Sequence, residues 1–132
     1  MSGPEGPTGA PGPTRGWSRW LAAPIALSAS VTETVVEVVI GPDAAGRGLL
    51  LMTTTAETAS SSATLARCAI SVNGVSLASG RPLQPIDLRP ASVFTVQDAT
   101  MAAGDVAAVR CTSVGDGVSI TEARLTWLKV GS

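Results

Sequence analysis

The side chains able to do chemistry in this 132-residue chain are carboxylates, hydroxyls and two thiols, because histidine is absent altogether. That absence removes the commonest general base, the usual triad base and the commonest metal ligand. Serines are numerous, but none occupies the G-x-S-x-G turn that exposes a nucleophile. Asp87, Asp98, Asp105 and Asp116 fall where strands should end and could in principle converge on Ca²⁺ at one end of a sandwich. Asp105 and Asp116, however, sit beside glycine in tight turns, where an aspartate bonds its own backbone, so no metal and no cofactor are expected. Cys68 and Cys111 are too few for a disulfide framework and lack metal-ligand spacing. Two buried free thiols are expected; a bridge would require their strands to be neighbours. No catalytic site emerges, and the chain reads as non-enzymatic.

A different kind of spacing marks the N-terminus. In GPEGPTGAPGPT, residues 3–14, glycine recurs at Gly3, Gly6, Gly9 and Gly12 and nowhere between, and four of the eight intervening residues are proline. Strict triplets are a requirement of the collagen triple helix, whose axis has no room for a β-carbon. Four triplets would make a rod of about 35 to 40 Å. So short a rod needs a domain downstream that trimerises and keeps the three strands at high local concentration.

Composition is compatible with that demand. Removing the first 24 or so residues leaves one ordinary domain. Hydrophobic residues make up 45% of the chain but aromatics only 3%, with three tryptophans, one phenylalanine and no tyrosine. A core of Ala, Val, Leu and Ile is thin for its size, and such domains often complete their burial against sister subunits. Nine basic and ten acidic residues lie dispersed along the chain. There is no basic footprint for nucleic acid or an anionic membrane surface. WLAAPIALSASV, residues 20–31, has the texture of a secretory h-region, but nineteen residues in a Gly/Pro-rich stretch precede it and Pro24 interrupts it. Neither a signal peptide nor membrane insertion is expected.

The elements follow from pattern. Residues 1–15 read as the stem. Residues 16–30 read as a junction in which Trp17 and Trp20 pack under the head or anchor into a neighbour. Residues 31–132 read as the head. VTETVVEVVI is β-branched nearly throughout, with Thr32, Thr34, Val36, Val38 and Ile40 on one face and Val31, Glu33, Val35, Glu37 and Val39 on the other. GPDAAGRG turns the chain, LLLMTTTAET is a strand, ASSSA a loop, and TLARCAISV a strand with Ala66, Cys68, Ile70 and Val72 on one face. Asn73-Gly74 suits a type I′ hairpin. RPLQPIDLRP is an irregular crossing, and SVFTVQDA, DVAAVRCTS and GVSITEARLTWLKV complete the set. In the last strand Val118 and Ile120 alternate one way and Leu125 and Trp127 the other, so a bulge is expected near Glu122 and Ala123, or apolar residues on both faces. The second option would set one face in the core and one against a sister subunit. Seven or eight strands with regular turns predict an all-β, jelly-roll-like β-sandwich preceded by a collagen-like stem.

ARCAISVNGV, LASG, TMAAGDVAAVRCTSVGDGVSI and ARLTWLKVGS, spanning most of residues 64–132, resemble the trimeric jelly-roll heads of the complement and tumour-necrosis-factor type. In those heads a strand ends in Asn-Gly, a later turn reads Ala-Gly-Asp, and an apolar last strand closes the chain. The low aromatic content, the Ala/Gly/Thr-rich texture and the brevity of the stem are more similar to minor tail and fibre proteins of tailed bacteriophages. That resemblance implies a homotrimeric structural virion protein. It would be held by other tail or capsid proteins, be assembled in the host cytoplasm, and touch a host cell-surface component. A capsid-decorating head fibre or a cellular complement-like module would share the same parts.

Overall fold

A computed structural model describes residues 15–58, 65–77, 81–83, 90–115 and 117–130. The glycine triplets, the ASSSA loop, most of the Pro-rich crossing, Asp87 and Asp116 lie outside them. Ten strands are present among the described residues: β1 Arg15–Trp20, β2 Ile25–Ala26, β3 Glu33–Val39, β4 Gly46–Thr58, β5 Ala66–Val72, β6 Val75–Ser76, β7 Arg81–Leu83, β8 Ala91–Met101, β9 Val106–Ser113 and β10 Val118–Lys129. A single 3₁₀ turn, Pro42–Ala44, interrupts them, and no helix is long and apolar enough to cross a membrane among the described residues.

The strands form two antiparallel sheets. One runs β1-β10-β4-β8 with β2 also on β10, and the other runs β3-β9-β5-β6 with β7 also on β5. The chain is therefore an all-β sandwich, as strand alternation and turn spacing predict. The core fills the space between the sheets. Leu50, Met52, Leu125 and Trp127 come from the first sheet and Val36, Ile70 and Val109 from the second. Trp127 is fully buried and donates its indole Nε1–H to the carbonyl of Ala44 at 2.7 Å, so the one large ring of the core carries its polar atom to the 3₁₀ turn.

Two irregularities re-aim side chains. In β10 the register against β4 shifts between Ile120 and Glu122, leaving Val118 and Ile120 buried before it and Ala123, Leu125 and Trp127 buried after it. This is the bulge that the change of parity predicts. In β3 a second shift between Thr34 and Val36 lets both Val35 and Val36 face inward, which strict alternation would forbid.

Two expectations are corrected. Residues 16–30 are more than a junction: β1 pairs with β10 along its whole length, from Arg15 opposite Lys129 to Trp20 opposite Arg124, and β2 pairs with β10 further on. These pairings put Arg15–Trp20 and Ile25–Ala26 in the first sheet. Cys68 and Cys111 are not free thiols. They stand directly opposite each other on β5 and β9, fully buried, and form a disulfide. Local sequence could not bring them together, because the pairing joins strands 43 residues apart.

The two turns that carry the resemblance meet at one end of the second sheet. Asn73 and Gly74 turn with φ of 52° and 84°, as a type I′ hairpin requires. Asn73 donates from its side-chain amide to Asp105 Oδ1 at 3.0 Å, while its Oδ1 accepts from the Val106 backbone at 2.9 Å. The backbone N–H of Ala102 donates to Asp105 Oδ2 at 2.8 Å. The Ala102 N–H, and then the Asn73 amide, hold the Asp105 carboxyl below the usual aspartate range. A depressed folded value gives stability that is present above the unfolded value and lost as pH falls below it through the folded one. Asp105→Asn should therefore lower the denaturation midpoint at pH 7, and the gap between variant and wild type should narrow at pH 2 to 3. Urea titrations at both pH values measure this. An equal gap at both would assign the effect to turn geometry rather than charge.

Candidate interaction surface

The outward face of the first sheet carries large apolar side chains in the open. Strand pairing sets its side chains in rows. Leu128, Leu49 and Asp98 share one row, and Ser18, Thr126, Leu51 and Val96 the next. Trp20, Arg124, Thr53 and Phe94 follow, and then Glu122, Thr55 and Ser92. Hydroxyl pairs tie neighbouring strands within two of these rows: Ser18 to Thr126 at 2.8 Å and Thr55 to Ser92 at 2.9 Å. At the β1 edge the Arg124 guanidinium lies over the Trp20 ring, 4.9 Å from its centroid.

Three large apolar side chains of this face are open to solvent, Trp20 at 63%, Phe94 at 56% and Val96 at 47%, and Leu49, Leu51 and Leu128 are half-buried around them. Between Trp20 and Phe94 runs a groove of ≈ 600 Å³, floored by Thr53 and Thr55 and bordered by Glu122 and Arg124. Elsewhere among the described residues the exposed large apolar side chains, Val31, Val39, Val75, Leu77, Val114 and Val130, sit at strand ends and turns. Scattered residues of that kind need no partner, whereas a contiguous patch does. The outward face of the second sheet is polar by comparison, with Arg67 opposite Thr112, Arg110 opposite Thr34, and Thr32 bonded to Thr112 at 2.8 Å.

The two junction tryptophans separate. Trp17, opposite Trp127, turns inward and packs on the core, while Trp20 stays outside. Gly3, Gly6, Gly9 and Gly12 lie outside the described residues. Sequence reasoning missed Leu49, Leu51, Phe94 and Val96. The available signal was apolar residues at both parities in LLLM and SVFTV, the same two-faced pattern that drew notice in β10. No group of three or more Cys, Asp or Glu is placed to hold a metal ion among the described residues.

The sequence matches no family model and no curated protein. Its fold is shared with solved structures. Dimeric latent PorU from Porphyromonas gingivalis aligns with TM-score 0.64 at 13% identity, covering 98% of this chain but only 14% of PorU, so the chain spans a small part of that protein. Eiger TNF from S. frugiperda aligns with TM-score 0.50 at 16% identity, over 93% of this chain and 95% of that one. A family 35 carbohydrate-binding module from Clostridium thermocellum aligns more weakly, with TM-score 0.41 at 12% identity over 79% of this chain and 98% of that one. At these identities the likeness is one of fold: a β-sandwich of the jelly-roll kind.

Proposed function

We propose that the chain is a structural virion protein, a trimeric fibre of a bacteriophage tail or tail tip. Its glycine-triplet stem is held by other virion proteins, and its sandwich head projects toward the host surface. The observation that carries this reading is the junction. The triplets end in the sequence at Thr14 and the next residue, Arg15, opens β1, so a wound stem would lead into the head without a spacer. A stem joined this way fixes three heads side by side, which suits a rigid fibre better than a tethered module. The absence of histidine and of any nucleophile elbow agrees with a role in assembly and contact rather than catalysis.

The buried Cys68–Cys111 bridge favours one other reading, a secreted complement-like binding module, since disulfides persist in oxidising compartments. Particle incorporation separates the two. Gly6→Val or Gly9→Val inserts a β-carbon at the axis of a wound stem and should reduce incorporation into virions at least tenfold. Thr8→Val, which points outward, should leave it unchanged. Quantitative blotting of purified particles reads this out, and gold labelling of the same particles separates tail from capsid. Equal incorporation of all three variants, or no wild-type protein in particles, defeats the virion fibre.

A further inference from the structure

We infer that the outward face of the second sheet carries a binding site for a tetrahedral oxyanion, a phosphate or a phosphate monoester, held over Ala69 between Arg67 and Arg110. The site lies on the sheet opposite the apolar face and does not depend on the trimeric reading above.

Strand register brings the residues together. Arg110 of β9 stands opposite Ala69 of β5, and Arg67, two residues before Ala69, stands opposite Thr112. The two arginines are diagonal neighbours, with β-carbons roughly 7 to 8 Å apart. Parity gives them one face, because Arg67, Ala69 and Ser71 alternate with Ala66, Cys68 and Ile70, which belong to the core. At Ala69 only a methyl group rises from the sheet, so the space between the two guanidinium groups is a shallow basin. Neither arginine forms an ion pair among the described residues. Glu37 stands one row away, opposite Ala108 on the edge strand β3, and the Asp105 carboxylate is held by Asn73 and Ala102.

Burial shows that the cluster is unfinished. Two of the buried polar side-chain atoms left without a hydrogen bond among the described residues belong to it, Arg110 Nε and Ser71 Oγ. Ser71 is 1% exposed although its parity turns it outward, and its row lies between Arg110 and the Asn73-Gly74 turn. Arg110 extends past that row. Its Nη1 meets the Gly74 carbonyl at 3.5 Å, the outer limit of a hydrogen bond. The guanidinium is thus folded over a hydroxyl that it does not bond, and both groups are closed to solvent without a partner. Native structures rarely leave such groups unpaired. An anion on Ala69 supplies what is missing: Arg110 swings off Gly74 and donates through Nε and Nη as a fork, the uncovered Ser71 hydroxyl donates as well, and Arg67 closes from the far side.

The directions of approach select the ligand. The arginines come from two strands on opposite sides of Ala69, and Ser71 comes from the sheet beneath. A phosphate presents an acceptor oxygen in each direction, whereas the two oxygens of a carboxylate lie in one plane and satisfy a single fork. Its charge, about −1.5 to −2 at pH 7, also matches two guanidinium groups.

The test is a titration of the isotope-labelled full-length chain with sodium phosphate at fixed ionic strength, followed by its amide and arginine Nε–H resonances. Phosphate should give saturable shifts at Ala69, Ser71 and Arg110 and leave Trp20 and Phe94 on the other sheet unmoved. Arg67→Gln and Arg110→Gln should each raise Kd at least tenfold, as loss of a charge-assisted hydrogen bond does. Arg110→Lys keeps the charge but loses the fork, and should still raise Kd about fivefold. Glu37→Gln removes a nearby negative charge without touching the ligand, and should lower Kd about twofold. Ala69→Leu should abolish binding by filling the basin. Because that half-buried position could also disturb the fold, the decisive variant is Arg67→Gln, whose exposed side chain can be changed with the rest of the spectrum in place. Glucose 6-phosphate binding at least as tightly as inorganic phosphate assigns the site to a sugar-borne phosphate, and weaker binding assigns it to the free ion; either supports the site. Acetate binding as tightly as phosphate, shifts that do not saturate, or a Kd indifferent to Arg67→Gln and Arg110→Gln overturns it.

Discussion

Gly48→Ala should be among the most damaging single substitutions in the head, removing at least 3 kcal/mol of stability or preventing accumulation of folded protein, the upper range for forcing atoms into a packed site. Gly48 lies on β4 opposite Lys129 of β10. A β-carbon there would fall onto the carbonyl oxygen of Leu128, with the carbonyl carbon and the outer edge of the Trp127 ring each 2.9 Å away. The backbone cannot give without parting β4 from β10, the pairing on which the first sheet is built. The ring cannot give without leaving the Ala44 carbonyl that satisfies its N–H. Gly41→Ala is the matched control: its φ is −80° and nothing lies within 4 Å of the added carbon, so stability should stay within about 0.5 kcal/mol of wild type. Urea denaturation followed by tryptophan fluorescence measures both. A loss below about 1 kcal/mol for Gly48→Ala would mean that β4 and β10 are not packed this closely.

Gly48 also shows where the sequence misleads. In GPDAAGRG three glycines and a proline read as one turn, yet the turn proper ends at Ala45, and Gly46 and Gly48 belong to a strand of thirteen residues. Glycine marks a turn when the backbone needs positive φ, as at Gly74 and Gly104. It marks a close crossing when a ring must lie against the chain, and local pattern cannot distinguish the two. Period-two alternation was enough to place β3, β5, β9 and β10, and the change of parity in β10 located its bulge within two residues. Alternation failed for RGWSRW, because an edge strand buries only part of one side and carries arginines at both ends of its pattern. The interaction surface was the least legible part. Its rows are assembled from four strands distributed between residues 15 and 129, and no segment of any one strand shows that Phe94 and Trp20 share a row.

The second large effect concerns the bridge. Replacing Cys68 and Cys111 together by alanine should lower stability by about 4 kcal/mol, the loop-closure entropy of a cross-link spanning a loop of this length. For a domain of this size that corresponds to a fall of roughly 15 °C in Tm. The bridge lies between paired strands of the second sheet, with both sulfurs in the core and no exposure, so it restrains the unfolded chain while adding no contact that solvent can reach in the native one. Two consequences separate it from the pair of free thiols that composition suggests. Native protein in millimolar dithiothreitol should keep the bridge, since a thiolate must reach the sulfur to exchange, and should lose it quickly once urea opens the sandwich. Denatured but unreduced protein should take up no alkylating reagent, and should take up two equivalents after reduction. Alkylation of two thiols without reduction would return Cys68 and Cys111 to the status of buried hydrophobic side chains. In that case the double alanine variant should cost only the small cavities that two missing sulfurs leave, about 1 to 2 kcal/mol.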